Sequence, residues 1–264
     1  MTEFEMSDEE AHQLLRQRIT KTSKRVAMVA FTRGDSSTPD GVDNNGTVSF
    51  IELSGGKVLV TNHHVWDTFR NCKVDDPTYR LALAGDGLAQ PIDISDAVVV
   101  SESLELDLCV LSYPAERIEA VGKEFCRPLL WPPIRASDTE DVSVTGYPGM
   151  RRTVEAMLHP HLNQSIRVLR HESVILYLHA EAVSARQARL RFTNPNPEIM
   201  RFSTRPITEF RWGGMSGSLV YRLDTAENRF VPCGILHAAG EGLDATFYAT
   251  HLDFIRPDGT IASP

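Results

Sequence analysis

Cysteine is scarce: the chain has four, Cys72, Cys109, Cys126 and Cys233, irregularly spaced among 264 residues. That excludes a disulfide-stapled scaffold and leaves the thiols to behave as small hydrophobes, two of them inside apolar runs. No apolar run approaches the ~20 residues that a membrane-spanning helix needs, so no membrane partner is expected. Met1 to Glu10 is acidic and lacks a basic stretch followed by an apolar core; the expectation is a cytoplasmic protein without a secretory signal. There is no phosphate-cradling glycine loop, internal repeat or low-complexity tract. His159-Pro160-His161 has no cysteine or carboxylate beside it at ligand spacing, and neither a cofactor nor a metal is expected. The net charge of −8 argues against nucleic acid as the main partner.

What the chain does have is enough apolar content, 42%, to build sizeable cores in one unit of two packed subdomains. Short β-rich runs separated by glycine- and aspartate-rich loops occupy 25–31, 47–53, 57–64, 79–84, 97–101 and 108–112. A second set covers 142–145, 174–180, 189–192, 217–223, 230–238 and 246–252. Between them, Pro114, Pro128, Pro132 and Pro133 mark 114–137 as a linker, because proline obstructs ladders and helix interiors alike. Ser7-Asp8-Glu9-Glu10 is a capping box ahead of Ala11, Leu14, Leu15 and Ile19, which predicts an N-terminal helix. That helix is read as a packing element or as a handle for a protein partner. The expected fold is all-β, two six-stranded antiparallel β-barrels with a short N-terminal helix. Its divisions are 1–24 (helical extension), 25–113 (first barrel), 114–137 (linker) and 138–264 (second barrel and C-terminal segment).

Three segments carry chemistry: Thr61-Asn62-His63-His64-Val65, Leu106-Asp107-Leu108-Cys109-Val110 and Gly213-Gly214-Met215-Ser216-Gly217-Ser218. A hydroxyl is a poor nucleophile at neutral pH and needs an imidazole to take its proton and a carboxylate to orient that imidazole. All three groups are here, in the order His, Asp, Ser. The serine word reads G-x-S-G-x, which departs from the G-x-S-x-G elbow of another hydrolase class. Asp107 opens an apolar run where an unpaired charge is costly, so it calls for a partner; Asp93, Asp96 and Glu105 open no such run. His63 stands beside His64 as the rival imidazole. Three glycines within five residues around Ser216 allow successive N–H groups to converge on an anionic oxygen.

In these words, TNHHV, LDLCVL and GMSGSLV, the chain resembles the chymotrypsin-like (trypsin-like) serine peptidases, in motif order over most of 25–256. The resemblance implies His64 as base and then acid, Asp107 as its orienter, Ser216 as nucleophile, and the Gly214 and Ser216 N–H groups as the oxyanion hole. It implies a peptide or protein substrate, cleaved through an acyl-enzyme at a cleft between the barrels, with no cofactor. His237, in Cys233-Gly234-Ile235-Leu236-His237-Ala238-Ala239-Gly240, lies where the family builds one wall of its specificity pocket. There it resembles the histidine with which glutamyl endopeptidases and viral relatives bind Glu or Gln. Phe210 falls near where trypsins carry a pocket-floor aspartate, which disfavours Lys or Arg. Gly146-Tyr147-Pro148-Gly149 is similar to a loop near the cleft.

The departures matter equally. Met215 replaces the aspartate that pairs with a new N-terminus after activation, and no I-V-G-G-like start is visible. Zymogen cleavage is therefore not expected, and packing around Met215 and Trp212 has to hold the oxyanion loop. Ser218 and Leu219 replace the usual glycine and proline. These changes keep an alternative open, a catalytically silent peptide-binding or scaffolding relative of the same fold. Ten arginines against five glutamates between 151 and 211 give that region a local excess of positive charge in an acidic chain, which suits acidic peptides.

Overall fold

The computed structural model describes residues 20–33, 45–85, 91–128, 130–149, 152–159, 164–171, 173–192, 212–224, 229–242 and 244–264, together with Gln13 and Gln17. The capping box at 7–10 lies outside the described residues; Gln13, Gln17 and residues 20–23 are helical.

Antiparallel strands dominate. The first half holds β1 (Val26–Arg33), β2 (Asn45–Leu53), β3 (Gly56–Thr61), β4 (Tyr79–Ala84), β5 (Ile92–Asp93), β6 (Val98–Ser103) and β7 (Leu108–Ser112), in the order β5-β4-β1-β2-β3-β7-β6. The second half is interrupted after its first strand by a hairpin, β9 (Arg152–His159) with β10 (Gln164–His171). It is built from β8 (Asp141–Gly146), β11 (Val174–Val183), β12 (Gln187–Phe192), β13 (Leu219–Asp224), β14 (Arg229–Ala239) and β15 (Phe247–His251), and it closes as β11-β12-β15-β14-β13-β8. With β5 set aside and the strands of each half counted in chain order, both halves follow one cyclic path, first-second-third-sixth-fifth-fourth. The second half completes that cycle. Among the described residues of the first half the ladder between β6 and β4 is missing, and β5 lies along β4 instead. The fold is thus the expected all-β double barrel, its first barrel an open seven-stranded half-barrel.

Successive side chains of a strand point to opposite faces, and here both faces are buried. Val48, Phe50, Leu59, Cys109 and Leu111 fill the first barrel. Their strand neighbours Ile51, Val58, Val60, Leu108 and Val110 point the other way, where they meet Leu219, Tyr221 and Ile235 of the second half. The second barrel has its own core of Val144, Leu176, Leu190, Trp212, Met215 and Phe247. Double-sided burial is why these strands read as unbroken apolar runs. It also fixes one half against the other.

The expected strand 57–64 needs correcting. β3 stops at Thr61, and a helix runs over His63–Asp75, burying Val65, Trp66 and Phe69. Their helical spacing, at i, i+1 and i+4, was the overlooked signal. The hairpin β9–β10 was also not expected. Within 114–137 the chain makes a short helix, Ala115–Glu119, and a parallel bridge from Cys126 to Ile51.

Candidate active site

Asp107 ends the 104–107 turn with φ 50°, a left-handed conformation that aspartate tolerates because its short polar side chain bonds locally. Both of its oxygens reach His64. Oδ1 accepts the His64 backbone N–H at 2.9 Å and Oδ2 lies 2.7 Å from the ring Nδ1. The first contact satisfies an amide that the opening turn of the His63–Asp75 helix leaves unpaired, and it sets a negative charge at the helix's positive end. The second fixes the ring, since an Nδ1–H donating to a carboxylate leaves Nε2 as the basic nitrogen. Asn62, the helix N-cap, makes no side-chain cap bond; its Nδ2 donates instead to the Asp107 carbonyl at 2.8 Å. From the second barrel, Thr250 Oγ1 donates to the Leu106 carbonyl at 2.8 Å. Asp107 is therefore held by both halves of the molecule. His63 goes elsewhere, with Nε2 3.7 Å from Glu102 of β6.

Residues 212–218 fold into two successive turns, Met215 N–H to Trp212 O at 3.1 Å and Ser218 N–H to Met215 O at 3.0 Å. Trp212 and Met215 are fully buried in the second barrel's core. The first barrel grips the same loop through β2. Thr47 N–H donates to Ser216 O at 2.7 Å, Thr47 Oγ1 to Gly214 O at 2.8 Å and Ser49 Oγ to Gly217 O at 2.7 Å. Gly217, at φ 94°, leaves no room for a side chain, because a Cβ there would stand 1.9 Å from Thr47 O. The amides of Met215, Gly217 and Ser218 all donate to carbonyls, whereas among the described residues no carbonyl takes those of Gly214 or Ser216. Two such amides, two residues apart on a tight turn, are of the kind an oxyanion hole draws on.

The loop and the helix that carries His64 share a neighbour in Gly46, whose missing Cβ would lie 2.9 Å from Val65 Cγ1 and 3.5 Å from Ser216 O. The residue after His64 and the serine thus flank one glycine. His237 sits at a register shift of β14, between Leu236 and Ala238. Its Nε2 is 3.0 Å from Gln187 Oε1 of β12. Burial pushes its pKa down; the Asp107 carboxylate pulls the other way and His64 adds to the lowering. Phe210 lies outside the described residues. Among the described residues no three His, Cys, Asp or Glu side chains cluster as a metal would require, and no helix is long and apolar enough to cross a membrane.

Sequence reasoning missed Thr47, Ser49, Asn62 and Gln187. The small hydroxyls of Thr47-Val48-Ser49, alternating into an otherwise apolar strand, were a readable sign for the first two.

No family model matches the chain, and no curated protein matches it. Solved structures similar to it include the serine protease domain of the Sesbania mosaic virus polyprotein, at 13% identity over 87% of this chain and 89% of that one, with a TM-score of 0.45. A Sesbania mosaic virus structure concerned with coupled folding and binding of the disordered VPg protein matches at 14% identity over 87% of each chain, with a TM-score of 0.45. The thermostable serine protease AL20 from an extremophilic microorganism matches at 12% identity over 87% of this chain and 92% of that one, with a TM-score of 0.46. Likeness at this level says nothing about the chemistry of the cleft, which rests on the contacts described above.

Proposed function

We propose that the protein is a serine endopeptidase that cleaves peptide bonds through an acyl-enzyme on Ser216. His64 Nε2 takes the hydroxyl proton as Ser216 attacks the scissile carbonyl, then delivers it to the leaving amine; in the second half-reaction it activates water in the same way. Asp107 keeps Nδ1 protonated and stabilises the imidazolium that forms. The Gly214 and Ser216 amides receive the negative oxygen of each tetrahedral intermediate, and no cofactor takes part. Removing one such donor in known cases costs about 10²–10³ in rate. His237 offers a hydrogen bond to a Glu or Gln side chain at the cleaved position.

The observation that carries this reading is the two-point hold of Asp107 on His64, together with a Ser216 loop pinned by β2 whose Gly214 and Ser216 amides no carbonyl takes among the described residues. A fluorophosphonate probe is expected to label the wild type and not Ser216→Ala. Well-folded wild-type protein that stays unlabelled, yet binds peptides without turnover, would return the reading to a silent peptide-binding protein.

A further inference from the structure

Asn62 follows β3 and opens the helix that carries His64, and it is fully buried. Asparagine at that place ordinarily turns its oxygen back on the amides of the first turn, which have no partner within the helix. The backbone here allows it, since φ −80° and ψ 149° are the extended angles of a capping residue. Yet the side chain makes no cap bond. Nδ2 donates to the Asp107 carbonyl at 2.8 Å, and Oδ1 has no hydrogen-bond partner among the described residues. The carboxamide cannot be turned over, because that would set oxygen against oxygen. A buried acceptor left unpaired and a helix left uncapped by its own N-cap residue both cost stability. Neither helps to build β3 or the helix, so the reason for the arrangement lies at the other end of the hydrogen bond.

Asp107 stands at φ 50°, a conformation that aspartate tolerates but that its surroundings still have to hold. A residue's two torsions are settled once the peptide planes on either side of it are settled. Thr250 Oγ1 pins the plane before Asp107 through the Leu106 carbonyl, and Asn62 Nδ2 pins the plane after it through the Asp107 carbonyl, both at 2.8 Å. With both planes fixed the Cα–Cβ bond has one direction. That direction carries Oδ1 to the His64 amide and Oδ2 to the ring. The exchange is reciprocal: Asn62 gives up the cap, and the Asp107 carboxylate supplies one to the amide two places on.

We infer that Asn62 is a positioning residue for the His64–Asp107 pair, holding Asp107 in its left-handed conformation and thereby keeping the His64 proton on Nδ1 and the basic lone pair on Nε2. The conformational part stands on the contacts alone; its effect on Ser216 rests on the peptidase reading. A serine in this place cannot substitute. Its hydroxyl ends one bond short of Nδ2 and turns to the helix amides instead.

Asn62→Ser and Asn62→Ala test this in the full chain. In protein labelled with ¹⁵N-histidine, the ring nitrogen shifts of His64 report which nitrogen carries the proton, read at about pH 8.5, well above the ordinary histidine range. Wild type is expected to show the Nδ1–H tautomer alone and both variants a mixture of the two. Asn62→Ser is expected to keep or raise the urea midpoint, because it restores a cap and removes the unpaired oxygen. Its rate of fluorophosphonate labelling is expected to fall by about 10²-fold, as for a reacting group misplaced by ~1 Å. A merely structural asparagine would give the opposite pattern, a lower midpoint with the tautomer and the labelling rate intact. That result, or a wild type that already mixes tautomers, would overturn the inference. Wild-type protein that takes no label, yet shows a single tautomer lost in both variants, would remove the peptidase reading and leave the role of Asn62 standing, so the two fail separately.

Discussion

At the scale of single residues, the molecule places imidazoles in contrasting surroundings. His64 is half exposed and bound to a carboxylate, whereas His237 and His251 are buried enough that burial pushes both pKa values below the ordinary 6.5. For His251 the carbonyl of Ser184 pulls back and Arg135 adds to the lowering, with Asp253 opposing it. Around His237 stand Glu105, Asp107, Arg186, His64 and the Tyr248 ring. A histidine whose folded pKa is depressed binds its proton more readily in the unfolded chain. Its contribution to stability is then complete above the unfolded value and is lost as pH falls toward the folded one. Urea midpoints followed from about pH 8 down to about pH 5 are expected to fall below roughly pH 6.5, and to fall less in His251→Gln. Acid loss of equal size in that variant would assign it to other groups.

At the scale of elements, β2 is the piece that turns two barrels into one site. The Thr47 hydroxyl donates to Gly214 O and accepts from Tyr147 N–H at 3.2 Å, so a single side chain joins β2, the end of β8 and the serine loop. Thr47→Val keeps the shape and removes the hydroxyl, leaving a part-buried carbonyl and a buried amide without this partner. The expected loss is about 2 kcal/mol of stability, read from urea unfolding. Turnover is expected to fall with KM little changed, because the Gly214 peptide is no longer held in place. An unchanged rate would show that the Thr47 N–H and Ser49 Oγ bonds and the packing of Trp212 and Met215 hold the loop without the hydroxyl.

At the scale of the whole molecule, the contact between the halves is itself a core. Leu108 is fully buried in the cluster that also holds Leu219, Tyr221 and Ile235. Leu108→Ala is expected to cost about 2–5 kcal/mol, and because the contact is shared, both halves should melt together. Trp66 reports on the first barrel and Trp212 on the second. With Trp131 replaced by Phe, variants keeping one or the other tryptophan are expected to give coincident urea transitions, displaced equally by Leu108→Ala. Two separate midpoints would mean that the barrels fold independently.

Most strand positions, the all-β class and the two-barrel plan were legible in the chain, because apolar runs and turn residues are local signals, although the hairpin β9–β10 was not. The His64 and Asp107 words stood out for the same reason, since a carboxylate opening an apolar strand needs a partner wherever the strand goes. Local pattern offered only the spacing of Val65, Trp66 and Phe69 as a sign of the helix that carries the histidine, and it could not show that Asn62, just past the end of β3, is that helix's N-cap. Nor could it reveal the grip of Thr47 and Ser49 on a loop more than 160 residues away, or the hold of Gln187 on His237. Those contacts join residues remote along the chain, and such pairings exist only after the barrels have closed and packed together.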